Sequence, residues 1–233
     1  MNDAVPMLLI PGLACSPRLF SPQLPGLWRF GPVTIADTRR GEGMAGLARW
    51  ILQAAPPRFA LAGLSMGGYI AFEIMRQAPE RVLRLALLDT SARPDRPEQS
   101  ERRDMQIAMA RDGRFAAIAD LLFPLMVRPE HLGDEALRLV FRQMHEENGA
   151  DAFILQQQAL KTRPDSRPLL AAISCPTLVL VGDADQLTPP DAAREIAAGI
   201  AGARLAIIPN SGHLSTLEQP DAVTRALTEW MAS

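Results

Sequence analysis

A serine flanked by glycines is the residue of this chain with the clearest potential for chemistry. It lies in the segment Gly63-Leu64-Ser65-Met66-Gly67, between an apolar, strand-like run at 59–62 and a stretch with helical apolar spacing at 69–75. A serine hydroxyl is a weak nucleophile, which reacts only when it is exposed and close to a base. A sharp strand-to-helix turn supplies the exposure, and its close backbone approach requires glycine on both sides. The pattern predicts Ser65 as a nucleophile.

One of the three histidines is placed to act as the base. His213 follows an apolar run at 205–208 that predicts a strand, so it lies in a loop at the carboxyl edge of a sheet. Open α/β sheets bind their ligands at that edge. His131 and His145 lie in charged stretches, which favour surface positions.

Three aspartates are candidates for the carboxylate that would hold the base in the correct tautomer. Asp185 is favoured because it follows a β-branched predicted strand and lies toward the tip of its loop, within reach of His213. Asp89, at the end of another predicted strand, is the second candidate. Asp183 is the third, although its position favours a hydrogen bond with its own turn. The residues alone leave these alternatives open.

Two backbone N–H groups are candidates for binding the oxyanion that forms when a hydroxyl attacks a carbonyl. Met66 follows the candidate nucleophile at the predicted start of a helix, where the helix dipole favours negative charge. Leu13 lies in the turn after the first predicted strand, beside Gly12, which permits a close backbone approach. Each such donor typically lowers the barrier by about 3–4 kcal/mol.

Short apolar runs alternate with helical patterns along most of the chain, which predicts an α/β fold with a mostly parallel sheet flanked by helices. The predicted strands cover residues 7–10, 33–36, 59–62, 82–88, 177–181 and 205–208. The predicted helices cover residues 44–52, 69–75 and 222–231, with a further one starting near 189–190.

The strand pattern stops in the middle of the chain. Residues 93–171 are amphipathic, helical and punctuated by prolines, which predicts a helical lid (cap) inserted into a core made of residues 1–92 and 172–233. Most methionine and phenylalanine side chains of this lid are expected to form its own core, and a minority to face a substrate pocket. The candidates for that pocket are Cys15, Phe123, Met126, Phe141, Leu187 and Leu214.

The composition argues against several other classes of function. The chain has 233 residues, of which 48% are hydrophobic, and its formal net charge of −2 gives no attraction to nucleic acid or an anionic membrane. Two cysteines make no disulfide framework and fit a reducing cytoplasm, and no signal peptide or transmembrane segment is expected. Lys161, the sole lysine, lies in a polar stretch that does not favour Schiff-base chemistry. Neither a metal site nor a cofactor is expected.

Five motifs in order resemble those of the α/β-hydrolase superfamily over nearly the whole chain. They are IPGL at 10–13, DTRRGEG at 37–43, GLSMGG at 63–68, GDAD at 182–185 with Thr188-Pro189, and Gly212-His213 with EQP at 218–220. The resemblance implies an oxyanion loop at the first motif, a nucleophile turn at the third, and a triad in the order Ser65, Asp185, His213. Pro11 stands where the family usually has histidine. The most similar group comprises small esterases, enol-lactonases and cofactor-free haloperoxidases.

The sequence therefore predicts a cytoplasmic serine hydrolase that cleaves carboxylic esters of small or medium apolar acyl groups through an acyl-enzyme. A lactonase, a thioesterase or a C–C bond hydrolase would use the same triad, so these remain alternatives. A protein that retains the triad and only binds a ligand is the alternative of another class. The expected partner is a small-molecule ester or lactone.

Overall fold

The centre of the protein is a sheet of six parallel strands in the order β2-β1-β3-β4-β5-β6. These features come from a computed structural model, which describes residues 4–233. The strands are β1 Met7–Ile10, β2 Val33–Ile35, β3 Phe59–Leu64, β4 Val82–Leu88, β5 Thr177–Gly182 and β6 Arg204–Ile208. Each predicted strand is present, and the predicted α/β fold is confirmed.

The central strands are covered on both faces, and the edge strands are not. Every residue of β1, β3 and β5 is buried, whereas β2 and β6, at the two edges, keep exposed positions. Parallel strands between two helical layers are continuous apolar runs, because both of their faces are packed. This explains why the central strands are visible in the sequence.

Helices connect the strands on both faces of the sheet. They are α1 Leu24–Leu27, α2 Gly43–Ala54, α3 Met66–Gln77, α4 Pro97–Arg111, α5 Phe115–Met126, α6 Glu135–Asn148, α7 Ala150–Lys161, α8 Pro190–Gly199, α9 Ser215–Glu218 and α10 Pro220–Ala232. With this strand order, the right-handed rule for parallel crossovers predicts α2, α3 and α8 on one face and α1 on the other. In agreement, α2 packs against α3, and α1 packs against α10.

The direction of the chain across the sheet reverses between β1 and β3. From β1 the chain moves to β2 at one edge, then returns past β1 to β3 and continues toward β6. Ile10 at the end of β1 pairs with Gly63 near the end of β3, so the loops that follow them lie side by side. Such a reversal leaves a crevice at the carboxyl ends of the strands, where open α/β sheets bind ligands.

Helices α4 to α7, which we call the helical insert (97–161), lie between β4 and β5 and are hydrogen-bonded to the loops at that crevice. The carbonyl of Met126 at the end of α5 accepts the N–H of His213 at 3.0 Å. From α7, Gln156 accepts the N–H of Ala14 at 3.0 Å. The insert therefore covers the carboxyl edge of the sheet, while its description as a separate lid remains a prediction.

Three further expectations concern membrane-spanning segments, a signal peptide and the cysteines. Within residues 4–233, no helix has the length and apolarity needed to cross a membrane. The expectation that the chain carries no signal peptide rests partly on residues 1–3, which lie outside the described residues. Cys15 and Cys175 are both free thiols.

Candidate active site

Ser65 lies at the apex of a strained turn between β3 and α3. Its backbone angles are φ 56° and ψ −114°, in a region that residues with a side chain rarely adopt. The turn is tight: a Cβ on Gly63 would lie 2.2 Å from the Gly67 carbonyl oxygen, and one on Gly67 would lie 2.0 Å from that of Ile10. Thr90 donates a hydrogen bond of 2.8 Å to the Ser65 carbonyl. The serine side chain is thereby held at the crevice, partly exposed.

Three side chains from distant parts of the chain form one hydrogen-bonded line. The Oγ of Ser65 lies 2.8 Å from Nε2 of His213, and Nδ1 of the same ring lies 2.8 Å from Oδ2 of Asp185. Asp185 also accepts hydrogen bonds from the backbone N–H of Leu187 and from the N–H and hydroxyl of Thr188. The carboxylate is thus fixed by its own loop, and the ring has one nitrogen toward each partner.

The other two candidate carboxylates have different partners. Asp89 is fully buried; its Oδ1 accepts the N–H of Gly182 at 2.9 Å, and its Oδ2 lies against the Ser215 hydroxyl. The expectation that Asp183 bonds its own turn is wrong: its carboxylate accepts the N–H groups of Asn210 and Ser211 at 3.1 and 3.0 Å. Of the three aspartates, Asp185 alone is hydrogen-bonded to His213.

The Asp185–His213 pair is buried, and the contact between the two groups governs its ionisation. Burial disfavours both charged forms, but the attraction and hydrogen bond between the two groups outweigh it. The pKa of Asp185 is therefore held below its ordinary value, and the pKa of His213 is raised above its ordinary value. An imidazole of raised basicity beside a hydroxyl is suited to accept a proton.

Asp89 behaves differently although it is close by. Burial raises its pKa to about 8, and repulsion from the Asp185 carboxylate acts in the same direction. At neutral pH the side chain is then mostly protonated. A neutral Asp89 leaves Asp185 as the main negative charge beside the imidazole. The hydrogen bonds of Asp89 connect the end of β5 with the start of α9.

The two residues predicted to bind an oxyanion, Leu13 and Met66, lie on the two segments beside Ser65. Met66 is the first residue of α3, so its N–H has no acceptor within the helix. Leu13 lies in the loop after β1, and a Cβ on the neighbouring Gly12 would lie 3.4 Å from the Cβ of Ser65. The loop is held by Gln156, which is fully buried and whose Nε2 donates to the Thr38 carbonyl.

A cavity of about 100 Å³ opens beside Ser65 and His213, between the sheet edge and the helical insert. Apolar side chains form much of its wall, and Tyr69 with four residues of α4 adds polar groups. The lining residues are Gly12, Leu13, Cys15, Leu64, Ser65, Tyr69, Gln99, Arg102, Arg103, Gln106, Leu122, Leu125, Met126, Leu160, Leu187, Thr188, His213 and Leu214.

Four of the six predicted pocket residues line this cavity, and two do not. Cys15, Met126, Leu187 and Leu214 reach it. The expectation for Phe123 and Phe141 is wrong: both are fully buried, and their rings pack against each other with centroids 5.8 Å apart. They belong to the core of the insert: α5 turns Leu122 and Leu125 rather than Phe123 toward the cavity, and no residue of α6 lines it.

Cys15 reaches the cavity as a protonated thiol. Burial raises its pKa to about 12, well above neutral pH. Because the thiolate is the reactive form of cysteine, this residue contributes a small apolar surface and no nucleophile.

The two other histidines are removed from the Ser65 site. The prediction of a surface position is wrong for His145, which is 1% exposed and stacks on Phe115 with ring centroids 3.9 Å apart. His131 is partly exposed and lies 2.9 Å from Oε2 of Glu218 through its Nδ1.

Glu218 belongs to the EQP motif at 218–220, but the motif alone assigned it no role; in the structure it supports the loop that carries His213. Its Oε1 accepts the N–H of Gly212 at 2.9 Å, next to the histidine of the site, and its Oε2 accepts the N–H of Arg128 at 2.9 Å. This single carboxylate holds the histidine loop against the insert. As for metal binding, residues 4–233 contain no group of three or more His, Cys, Asp or Glu side chains that could hold an ion.

Known proteins are similar to this chain in sequence and in fold. A family model described as "Alpha/beta hydrolase family" matches residues 5–226. A thermophilic esterase from Thermogutta terrifontis has a similar structure, with a TM-score of 0.89 and 31% identity over 98% of this chain and 89% of that chain. The enol-lactonase from Burkholderia xenovorans has the same fold, with a TM-score of 0.88 and 24% identity over 100% of this chain and 93% of that one.

A curated relative is similar in sequence over most of the chain. The pimeloyl-[acyl-carrier protein] methyl ester esterase from Chromobacterium violaceum is 28% identical over 174 residues, which cover 72% of this chain and 68% of that protein.

Proposed function

The chain belongs to the alpha/beta hydrolase family, and from this premise we propose that it is a serine hydrolase that cleaves carboxylic esters of small or medium acyl groups. The observation that carries the proposal is the hydrogen-bonded line from Ser65 through His213 to Asp185, with both contacts of the imidazole at 2.8 Å. A hydroxyl, a base and an orienting carboxylate in this order form the arrangement that activates serine for attack on a carbonyl.

In the proposed first step Ser65 Oγ attacks the ester carbonyl while His213 Nε2 takes its proton. The imidazolium that forms is stabilised by Asp185, whose Oδ2 accepts from Nδ1. His213 then returns the proton to the leaving alkoxide, which departs as an alcohol and leaves an acyl-enzyme. In the second step a water molecule, deprotonated by the same nitrogen, releases the acid and restores Ser65.

The negative charge that develops on the carbonyl oxygen is assigned to the N–H groups of Leu13 and Met66. Both lie next to the Ser65 turn, one on the loop after β1 and one at the first turn of α3. The N-terminus of α3 adds a favourable dipole. Because both donors are backbone groups of rigid elements, they need no reorganisation when the charge forms.

The size and lining of the cavity set the proposed substrate class. Its volume of about 100 Å³ admits a short acyl chain, and the apolar side chains Leu122, Leu125, Met126 and Leu214 would contact that chain. The same triad would also serve a lactonase, a thioesterase or a C–C bond hydrolase, so bond type is a question for direct assay.

Labelling with a fluorophosphonate tests the nucleophile. The reagent forms an Oγ–phosphorus bond with loss of fluoride, so one adduct on Ser65 is expected in intact-protein and peptide mass spectrometry. Ser65→Ala should give no adduct and lower kcat by about 10⁴-fold or more. Ser91→Ala, which removes a hydroxyl in the loop after β4, is the matched control. It should still form the adduct and keep the native kcat. Absence of an adduct in the native protein would favour a ligand-binding protein without catalysis.

A substrate screen then separates the reaction types. Para-nitrophenyl esters of increasing acyl length, simple lactones and acyl thioesters should be compared by kcat/KM. The proposal requires the highest values among esters of short and medium chains. The cytoplasmic location inferred from the two cysteines stays a prediction.

A further inference from the structure

One wall of the Ser65 cavity presents hydrogen-bond donors rather than a balanced set of polar groups. Gln99, Arg102 and Gln106 lie at positions i, i+3 and i+7 of α4, so they share one face of the helix, and all three line the cavity. Tyr69, from the helix that follows the nucleophile, lines it as well. We call these four residues the donor wall.

The orientation of the Gln106 amide follows from a chain of hydrogen bonds that starts at an arginine. Arg103 Nη1 donates to Gln157 Oε1 at 2.8 Å, and Gln157 Nε2 donates to Gln106 Oε1 at 2.5 Å. A guanidinium has donors only, so Gln157 must accept the hydrogen bond of Arg103 through its amide oxygen. The NH2 group of Gln157 then donates to the amide oxygen of Gln106. The amide oxygen of Gln106 is therefore already hydrogen-bonded, and its NH2 group is the part of the amide that is available to a ligand.

The same reasoning applies to Gln99. Its Oε1 accepts the backbone N–H of Arg96 at 2.9 Å, which fixes the amide with its NH2 group as the remaining end. The Tyr69 hydroxyl donates to no group among residues 4–233, and the guanidinium of Arg163 lies 4.3 Å from the centroid of its ring. Three neutral donors of the wall thus lack an acceptor from the described part of the protein.

The charges around the wall also have an excess of one sign. Arg103 and Arg163 share the single carboxylate of Asp95, whose side chain is 1% exposed. Arg102 adds a further guanidinium, which is exposed and enters no ion pair within residues 4–233. Glu98, one turn earlier on α4, is not within ion-pair distance of it. Arg103 and Arg163 therefore have one buried carboxylate between them, and Arg102 has none within ion-pair distance among residues 4–233.

We propose that the donor wall is an anion-binding subsite and that the preferred substrates carry a carboxylate at the far end of the acyl group, as half-esters of dicarboxylic acids do. This inference rests on the proposed ester hydrolysis. A carboxylate accepts about four hydrogen bonds and pairs with a guanidinium, which matches unpartnered amide and phenol donors beside Arg102. The apolar side chains elsewhere in the cavity would contact the methylene groups in between.

Two esters of equal acyl length test the subsite by kinetics. The mono-para-nitrophenyl ester of adipic acid has a terminal carboxylate, and para-nitrophenyl hexanoate has a methyl group in its place. At constant ionic strength, the ratio of their kcat/KM values should favour the anionic ester in the native enzyme. Arg102→Gln should lower this ratio by about tenfold or more, the usual loss for one charge-assisted hydrogen bond. Arg102→Lys should restore part of it.

The matched control is Arg111→Gln, an exposed arginine on the same helix that does not line the cavity. It removes the same charge from α4 and should keep the native ratio. A native enzyme without preference for the anionic ester, or a ratio unchanged by Arg102→Gln, would overturn the subsite.

A binding measurement separates failure of the subsite from failure of the proposed function. Calorimetric titration with adipate and with hexanoate needs no turnover, and adipate should bind more tightly in an Arg102-dependent manner. If neither ester is hydrolysed but this dependence is found, the subsite stands and the ester hydrolase proposal falls. If both esters are hydrolysed equally and adipate binding does not depend on Arg102, the ester hydrolase proposal stands and the subsite falls.

Discussion

Replacement of Asp185 by asparagine removes one charge from the triad with almost no change of shape. Asp185 accepts four hydrogen bonds: the N–H groups of Leu187 and Thr188 at 2.9 and 3.0 Å, the Thr188 hydroxyl at 2.7 Å, and His213 Nδ1 at 2.8 Å. An amide has one oxygen, so its NH2 group must face either the loop donors or the ring. If it faces the ring, the imidazole proton moves to Nε2, which then cannot accept the proton of Ser65.

The size of the effect follows from the lost attraction between carboxylate and imidazolium. At 2.8 Å and an effective dielectric constant of about 20, that attraction is about 6 kcal/mol. Because each 1.36 kcal/mol changes a rate about tenfold, its full loss corresponds to about 10⁴-fold. We expect Asp185→Asn to lower kcat by about 10³- to 10⁴-fold, measured with a short-chain para-nitrophenyl ester, while thermal melting and circular dichroism show an intact fold.

Two other aspartates provide the controls. Asp183→Asn changes an exposed carboxylate two residues earlier and should keep kcat within a few-fold. Asp89→Asn should stay within about tenfold, since the amide can mimic the protonated acid toward Gly182 and Ser215. An Asp185→Asn enzyme within tenfold of the native kcat would refute the reasoning. If only Asp89→Asn lost activity, Asp89 rather than Asp185 would be the carboxylate of the triad.

Two further predictions concern the base and the nucleophile turn. The proposed mechanism needs neutral His213, whose pKa is raised because the attraction and hydrogen bond of Asp185 outweigh burial. We therefore expect kcat/KM to fall as pH drops through an apparent pKa above about 6.5. A pH profile with its acid limb centred below that value would contradict the assignment. Gly67→Ala would place a Cβ 2.0 Å from the Ile10 carbonyl oxygen and should cost about 3 kcal/mol, or a Tm lower by roughly 10 °C. Gly133→Ala, with no atom within 4 Å of the added Cβ, should melt like the native protein, and equal melting of both variants would argue against a crowded turn.

Local patterns were sufficient to predict the strands and the position of the candidate nucleophile. A buried parallel strand is a continuous apolar run, and a tight strand-to-helix turn requires glycine. Both features therefore depend on a few adjacent residues and can be recognised in the sequence. The predicted strands differ from those of the structure by at most two residues at an end. His213 was found for a similar reason, since it directly follows such a strand.

The orientation of helical side chains could not be obtained in this way. Helix α5 lies between the cavity and the other helices of the insert, so it has apolar residues on more than one face. Its sequence does not say which face meets the substrate, and Phe123 was therefore assigned to the pocket instead of Leu122. His145 lies in a charged stretch, yet the ring of Phe115 covers it in the folded protein.

The sequence by itself determined the sheet, the turn that exposes Ser65 and the loop that carries the histidine, because each depends on residues adjacent in the chain. Only the tertiary structure decided which of three aspartates is hydrogen-bonded to that histidine and which α4 donors meet in the cavity. Both depend on hydrogen bonds between segments far apart in sequence. Such bonds form only after the parallel strands bring their carboxyl ends to one edge.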